Sequence, residues 1–159
     1  MNLITVGIGG LEVSNDRSSV IITHGLGSCI AIVVYDPLRR TGGMLHYQLP
    51  TAQLSPERAR QSPGTFADTG IPLLFERMYA LGSQKRSMVV KAAGGGNFHG
   101  DNGTFDIGKR NHTTMRKIFW KAQVLVAAED VGGSRSRTVR LFLDTGQVTV
   151  QSGSEVKPL

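Results

Sequence analysis

The sequence predicts a layered α/β sandwich on mixed or antiparallel sheets. About eight short segments have the composition of β-strands, against about two with helical spacing. Most of the predicted strands follow one another in hairpin-like pairs, which disfavours a purely parallel sheet. Strands and helices do not alternate, so a Rossmann fold is disfavoured. A chain of 159 residues can bury a sizeable core, and we expect residues 1–159 to form a single domain.

Four strands are predicted in the first third of the chain. The first two are short and rich in β-branched residues, whereas the third, CIAIVVY, has the apolar pattern of a strand buried on both faces. Asp36-Pro37 then indicates a turn, because proline presets the backbone for the second turn position. The four strands are predicted at residues 3–8, 18–23, 29–35 and 43–49.

The remainder of the chain is predicted to hold a loop, both helices and the other strands. Residues 50–64 contain three prolines and are predicted to form a loop or flap. A helix over 65–81 ends at Gly82 and is kinked or delayed by Pro72. A second helix, 107–121, places Ile107, Met115, Ile118 and Phe119 on one face. Strands are predicted at 87–93, 123–129, 137–143 and 147–151, the last two joined by a hairpin turn at Asp144-Thr145-Gly146.

The net charge of +6 raises the question of nucleic-acid binding. The basic residues are scattered, and no basic stripe is interleaved with aromatic residues, so no nucleic-acid partner is predicted. Attraction to an acidic protein is the functional alternative to a simply solvated basic surface. Gly94-Gly95-Gly96 lacks the Lys-Ser/Thr ending of a P-loop, and we interpret it as a turn after a strand.

The single cysteine cannot form an internal disulfide, which favours a reducing, cytoplasmic location. The N-terminus lacks the basic start and apolar run of a signal peptide. No segment approaches the roughly 20 apolar residues that span a bilayer, so no direct membrane insertion is expected.

Cys29 ends the segment Thr23-His24-Gly25-Leu26-Gly27-Ser28-Cys29, which joins two predicted strands. Its glycines let the chain turn sharply and expose backbone N–H groups, which acyl transfer uses to hold an oxyanion. A lone cysteine is also a common small buried hydrophobe, so this segment alone is weak support for a nucleophile.

The strand after Cys29 strengthens the catalytic interpretation. A four-residue turn over Asp36–Arg39 would place Cys29 directly opposite His46, with Cβ atoms about 4.5–5.5 Å apart. A histidine there is placed to take the thiol proton. A bulge at Gly42-Gly43 would shift the register and turn His46 to the other face. Candidates for a third group that orients the imidazole are Thr23, Ser28 and His24.

These segments together resemble the CheD family of chemoreceptor glutamine deamidases. The resemblance runs from about residue 4 to 151, and the order and spacing of its motifs are specific. The motifs are Thr23-His24-Gly25-Leu26-Gly27-Ser28-Cys29, Gly43-Met44-Leu45-His46 with Leu49-Pro50, Ala93-Gly94-Gly95-Gly96, Asp106-Ile107-Gly108-Lys109-Arg110-Asn111, and Ala128-Glu129-Asp130-Val131-Gly132-Gly133-Ser134-Arg135-Ser136-Arg137.

The resemblance implies a catalytic set of Cys29, His46 and Thr23. It implies that glutamine side chains on the cytoplasmic helices of methyl-accepting chemotaxis receptors are converted to glutamate through a thioester, with release of ammonia. It also implies a fold shared with glutamine-deamidating bacterial toxins, and CheC, a phosphatase, as a possible partner. The segment Gly132–Arg137 is then expected near the active site or a partner surface.

No cofactor and no metal are expected. His24, His46, His99 and His112 have no metal-ligand spacing with one another or with Cys29. Two alternatives to the deamidase stay open. One is a non-catalytic adaptor that stimulates a CheC-type phosphatase, and the other is a different small cysteine amidase.

Overall fold

The computed structural model describes residues 1–98 and 106–159. Their helices are α1 (Pro56–Gln61), α2 (Ala67–Ala80) and α3 (Ile107–Lys121). Their strands are β1 (Asn2–Thr5), β2 (Leu11–Ser14), β3 (Ser19–Leu26), β4 (Ile30–Asp36), β5 (Thr41–Tyr47), β6 (Val89–Gly94), β7 (Val126–Val131), β8 (Arg137–Phe142), β9 (Val148–Ser152) and β10 (Glu155–Pro158). Among these residues, no helix combines the length and apolar character needed to cross a membrane.

The strands form two five-stranded sheets, and the predicted mixed α/β class is confirmed. Sheet A has the order β1-β3-β8-β9-β10, and sheet B has the order β2-β5-β4-β6-β7. One pair in each sheet is parallel, β1 with β3 and β6 with β7, and the other pairs are antiparallel.

Two apolar layers hold the sheets and helices together. The first lies between the sheets and takes Ala31 and Val33 from β4 and Leu141 from β8. The second lies between sheet B and the helices α2 and α3, and takes Ile32 from β4 and Phe119 from α3. Successive residues of β4 therefore enter different layers, and the strand is buried on both faces as its apolar run predicts.

The helix predicted at 107–121 coincides with α3. Its first turn is capped by Asp106, whose carboxylate accepts a hydrogen bond from the Lys109 N–H at 3.0 Å. The helix predicted at 65–81 is observed as α2, which contains Pro72 and continues to Ala80.

The prediction of a loop over residues 50–64 is wrong. The segment contains α1, which begins at Pro56, and proline suits a first helical position because the N–H there has no partner in the helix. The segment is anchored to α2, since the carboxylate of Asp68 accepts hydrogen bonds from Thr51 Oγ1 and the Ala52 N–H, at 3.0 and 2.9 Å. Whether it acts as a substrate flap stays a prediction.

Candidate active site

The β4–β5 hairpin carries Cys29 and His46, and the predicted register is wrong by two residues. The ladder runs from Asp36 opposite Thr41 to Ile30 opposite Tyr47, so Ala31 and not Cys29 lies opposite His46. The loop has four residues, as predicted, but it lies one residue further along the chain because Asp36 stays in the strand and pairs with Thr41. The side chain of Asp36 accepts hydrogen bonds from the N–H groups of the loop, and Arg40 adopts a positive φ of 50° to close it.

Pairing through Gly42 and Gly43 is continuous, without the bulge that would have turned His46 away. These glycines serve close packing instead. A Cβ at Gly42 would lie 2.5 Å from a methyl group of Leu143, and one at Gly43 would lie 2.7 Å from a methyl group of Val13.

A shift of two residues preserves the face on which each side chain lies. Cys29 packs in the apolar layer between the sheets together with Ala31, and His46, opposite Ala31, shares that face. Extending the register by one residue places Cys29 opposite Gln48 and one diagonal step from His46, about 7–8 Å between backbones. The imidazole is long enough to extend across such a diagonal, and in this structure its Nε2 makes no hydrogen bond with the Cys29 thiol.

Thr23 reaches the same place from β3 of the other sheet. Its hydroxyl oxygen lies 2.7 Å from Nδ1 of His46. Thr23 and His46 are 0% and 1% exposed, whereas Cys29, at 8%, is the most accessible of the three. The structure thus brings the three predicted residues to one end of the inter-sheet layer, with the thiol nearest the surface.

Counting protons identifies the basic nitrogen of His46. The Thr23 hydroxyl has a single proton, which it donates to the Val6 carbonyl at 2.6 Å. It therefore accepts from Nδ1–H of His46, so that Nε2 carries the lone pair of the neutral ring. Nε2 is buried and has no hydrogen-bond partner among the described residues.

Burial favours the neutral forms of both groups. It raises the pKa of the Cys29 thiol above its ordinary value, although the backbone N–H of Cys29 acts in the opposite direction. It also lowers the pKa of His46 to about 4. The resting pair at neutral pH is therefore a thiol and a neutral imidazole, a base ready to accept a proton.

Three glycine-rich segments hold the backbone around Cys29. The N–H groups of Gly95 and Gly96 donate to the carbonyls of Cys29 and Gly27, at 2.8 and 2.9 Å. The Gly132 N–H donates in turn to the Gly94 carbonyl at 2.9 Å. The turn predicted at Gly94–Gly96 follows β6, and it also fastens the segment that carries the thiol.

Arg137 fastens the same region from β8. It is 7% exposed, and its guanidinium donates to the carbonyls of Gly132 and Gly94 and to Asp130 Oδ1, at 2.7, 3.3 and 3.3 Å. Its hydrogen bonds are made inside the protein, so this arginine stabilises the Gly132–Arg137 segment and is not exposed to a partner.

Asn111 is a site neighbour that the sequence reasoning did not single out. It is fully buried in α3, and its Nδ2 donates to the carbonyls of Ser28 and Gln48, both at 2.9 Å. A signal was present in the sequence, because Asn111 is a polar residue within the apolar stripe of the predicted helix, four residues from both Ile107 and Met115.

Among residues 1–98 and 106–159, no group of three or more His, Cys, Asp or Glu side chains is placed to hold a metal ion. His99, one of the four histidines considered, lies outside the described residues.

The fold and this site define a small α/β protein with the components of a cysteine-dependent hydrolase: a thiol, an imidazole with a free basic nitrogen, and a hydroxyl that fixes the ring. Comparison with known proteins gives the family. Residues 48–152 match the family model described as CheD chemotactic sensory transduction. The chain belongs to the CheD family, as the resemblance predicted.

Several relatives span nearly the whole chain, including residues 23–46. A protein of Anaeromyxobacter dehalogenans (strain 2CP-C), named probable chemoreceptor glutamine deamidase CheD 2, is 67% identical over 159 residues, all of both chains. A protein of Syntrophus aciditrophicus (strain SB), named probable chemoreceptor glutamine deamidase CheD 1, is 49% identical over 152 residues, 96% of this chain and 95% of its own. A probable chemoreceptor glutamine deamidase CheD of Solibacter usitatus (strain Ellin6076) is 45% identical over 159 residues, 100% of this chain and 94% of its own.

Proposed function

We propose that this chain is a cytoplasmic chemoreceptor glutamine deamidase, with Cys29 as nucleophile, His46 as general base and acid, and Thr23 as the residue that orients the imidazole. The observation that carries the proposal is the state of His46. Its Nδ1–H is held by Thr23 at 2.7 Å, and its Nε2 is buried without a partner among the described residues, on the strand face that Cys29 shares. The names of the relatives supply the substrate.

The first half of the reaction forms a thioester. His46 Nε2 takes the proton of the Cys29 thiol as Sγ attacks the side-chain amide carbon of a substrate glutamine. The amide oxygen gains the negative charge and is stabilised by backbone N–H groups near Cys29. The imidazolium then protonates the amide nitrogen, the C–N bond breaks, and ammonia leaves.

The second half restores the thiol. His46 takes a proton from a water molecule as the water oxygen attacks the thioester carbon, and the C–S bond breaks when the proton passes to sulfur. Glutamate leaves and Cys29 is regenerated. Throughout, Nδ1 keeps its proton on Thr23, so only Nε2 exchanges protons with the reacting atoms.

The proposal extends to the substrate surface and partners. Receptor signalling helices are generally acidic, and a protein with a net charge of +6 would meet them faster. We propose that residues 1–159 act as one catalytic domain, related in fold to glutamine-deamidating toxins. CheC is a possible second partner. Nucleic acid and direct membrane insertion have no part in this function.

The test uses the cytoplasmic fragment of a chemoreceptor from the same organism. Wild-type protein should release ammonia, and each modified glutamine should gain about one mass unit and one negative charge, because a glutamate side chain is ionised at neutral pH. Cys29→Ala and His46→Gln should abolish both signals. His112→Gln is the matched histidine control, since His112 pairs with Glu129 at 3.1 Å and not with Thr23.

Each alternative gives a different result. Ammonia release by Cys29→Ala at the wild-type rate would contradict the role of Cys29 as nucleophile, whereas wild-type protein that binds the fragment without releasing ammonia would favour the adaptor. Loss of ammonia release with retained binding of the fragment supports the enzyme. Hydrolysis of small amides without any mass shift on the fragment would indicate a different cysteine amidase.

A further inference from the structure

Asn111 bridges the two strands that carry the proposed catalytic residues. From α3, its side-chain amide nitrogen donates to the carbonyl of Ser28, directly before Cys29, and to the carbonyl of Gln48, two residues after His46. The backbone carbonyl of Asn111 in turn accepts a hydrogen bond from the Tyr47 hydroxyl at 2.7 Å. These bonds tie one turn of α3 to both sides of the site.

The hydrogen bond from Asn111 to the Ser28 carbonyl also fixes the N–H group of Cys29. The Ser28 C=O and the Cys29 N–H belong to one peptide group, and the described chain has no cis peptide bonds. In a trans peptide these two groups point in opposite directions, so holding the carbonyl determines where the N–H points. The Cys29 N–H belongs to the residue that carries the sulfur, and it acts against the rise that burial causes in the pKa of this thiol.

A flip of this peptide would replace a hydrogen-bond donor beside the sulfur with a carbonyl oxygen. An oxyanion that forms on the substrate would then meet a partial negative charge instead of an N–H. On the other side, the next peptide is fixed by the Gly95 N–H, which donates to the Cys29 carbonyl at 2.8 Å. Asn111 is the side chain that holds the Ser28–Cys29 peptide.

We propose that Asn111 is a positioning residue that pre-organises the oxyanion-binding N–H of Cys29 by holding the Ser28 carbonyl. The inference rests on the proposed function and adds to it a residue that does not touch the substrate. Asn111 Oδ1 is buried without a partner among the described residues, and an unpaired buried acceptor destabilises the folded state. A side chain that only filled space would avoid that cost, so the amide is retained for its donors.

The experiment compares Asn111→Ala with Tyr35→Phe. Tyr35 lies at the far end of β4, and its hydroxyl donates to the Leu143 carbonyl at 3.0 Å, so its variant also loses a buried hydrogen bond but away from the site. For Asn111→Ala we expect kcat on the receptor fragment to fall about 100-fold, as for loss of an oxyanion-hole donor. KM should stay within a few-fold, and Tyr35→Phe should keep wild-type kcat.

Two further measurements separate positioning from a structural role. Alkylation of Cys29 by iodoacetamide needs no oxyanion hole, so its rate in Asn111→Ala should fall far less than kcat. A peptide whose glutamine side chain ends in an aldehyde adds the Cys29 thiol across its C=O bond, with the proton passing to oxygen. Its affinity should fall in parallel with kcat. Wild-type kcat in Asn111→Ala, or an equal loss of kcat and alkylation rate, would overturn the proposal.

If Asn111→Ala does not fold, Asn111→Asp takes its place in the test, because aspartate has the same shape as asparagine. Burial raises the pKa of a carboxyl group, which can donate to a carbonyl only while it is protonated. The rate of deamidation by this variant should fall as pH rises, a decrease that the wild type does not show. A wild-type rate with a wild-type pH profile would overturn the proposal. Ammonia release by Cys29→Ala would instead reject the proposed function, whereas an inactive Cys29→Ala beside a fully active Asn111→Ala rejects only the role of Asn111.

Discussion

The Thr23 hydroxyl determines how His46 can act. It donates its only proton to the Val6 carbonyl, so it must accept a hydrogen bond from Nδ1–H of the imidazole. Thr23→Val keeps the shape of the side chain and removes that acceptor. We expect kcat/KM for deamidation to fall about 100-fold, the scale of general acid–base effects, since the imidazole loses its tautomer preference and orientation.

Thr23→Ser is the matched control, because it keeps the hydroxyl and loses one methyl group. Its kcat/KM should stay within a few-fold of wild type. Steady-state ammonia release measures both variants. Equal activity of the Val and Ser variants would contradict the orienting role of Thr23.

The sequence predicted the positions of Cys29 and His46 better than that of Thr23. Cys29 and His46 flank one hairpin, and the two-residue error in register left both on the predicted face because strand side chains alternate with a period of two. Thr23 meets His46 across two sheets, a contact that no local pattern encodes. The residues alone left Thr23 as one of three candidates for the third group, and only the family resemblance selected it.

At the scale of elements, prediction succeeded where periodicity is long and failed where segments are short. The 15 residues of α3 were predicted to the residue. The four-residue strands β2 and β10 were missed, since each is too short to show a clear alternation. The prediction of the β4–β5 register failed because Asp36 pairs with Thr41 and bonds to its own loop, which moves the four-residue loop one position along the chain.

The end of β6 gives a prediction at this scale. Gly94 has a φ of 119°, and a Cβ there would lie 2.2 Å from the Cys29 carbonyl oxygen. Gly94→Ala must therefore displace the Cys29 peptide in addition to straining the backbone, at a cost of at least about 3 kcal/mol in unfolding free energy. Deamidation should be lost along with this stability.

Gly133→Ala is the matched control, since Gly133 has a φ of 70° but no atom within 4 Å of an added Cβ. It should cost only backbone strain, about 1–2 kcal/mol, and keep the activity. Denaturant unfolding and ammonia release measure both variants. An equal loss of unfolding free energy in the two would contradict the close approach of β6 to Cys29.

For the whole molecule, the buried site couples acid stability to His46. Burial lowers its pKa to about 4, whereas an unfolded chain has a histidine pKa near 6.5. Between about pH 6.5 and 4 the unfolded state binds a proton that the folded state does not, so the unfolding free energy falls as pH falls through this window. The pKa of Asp16 is held low by hydrogen bonds from Ser19 and Ser18. The stability that these bonds give is therefore lost only as pH falls below about 4, outside this window.

Denaturant unfolding at several pH values tests this coupling. The wild type should lose unfolding free energy steadily from pH 6.5 to 4, and His46→Gln, which has no proton to bind there, should lose less over the same window. His112→Gln removes a partly exposed histidine outside the apolar layer and is the matched control. Parallel curves for wild type and His46→Gln would show that the imidazole titrates as if in water, and would contradict the effect of burial on the pKa of His46.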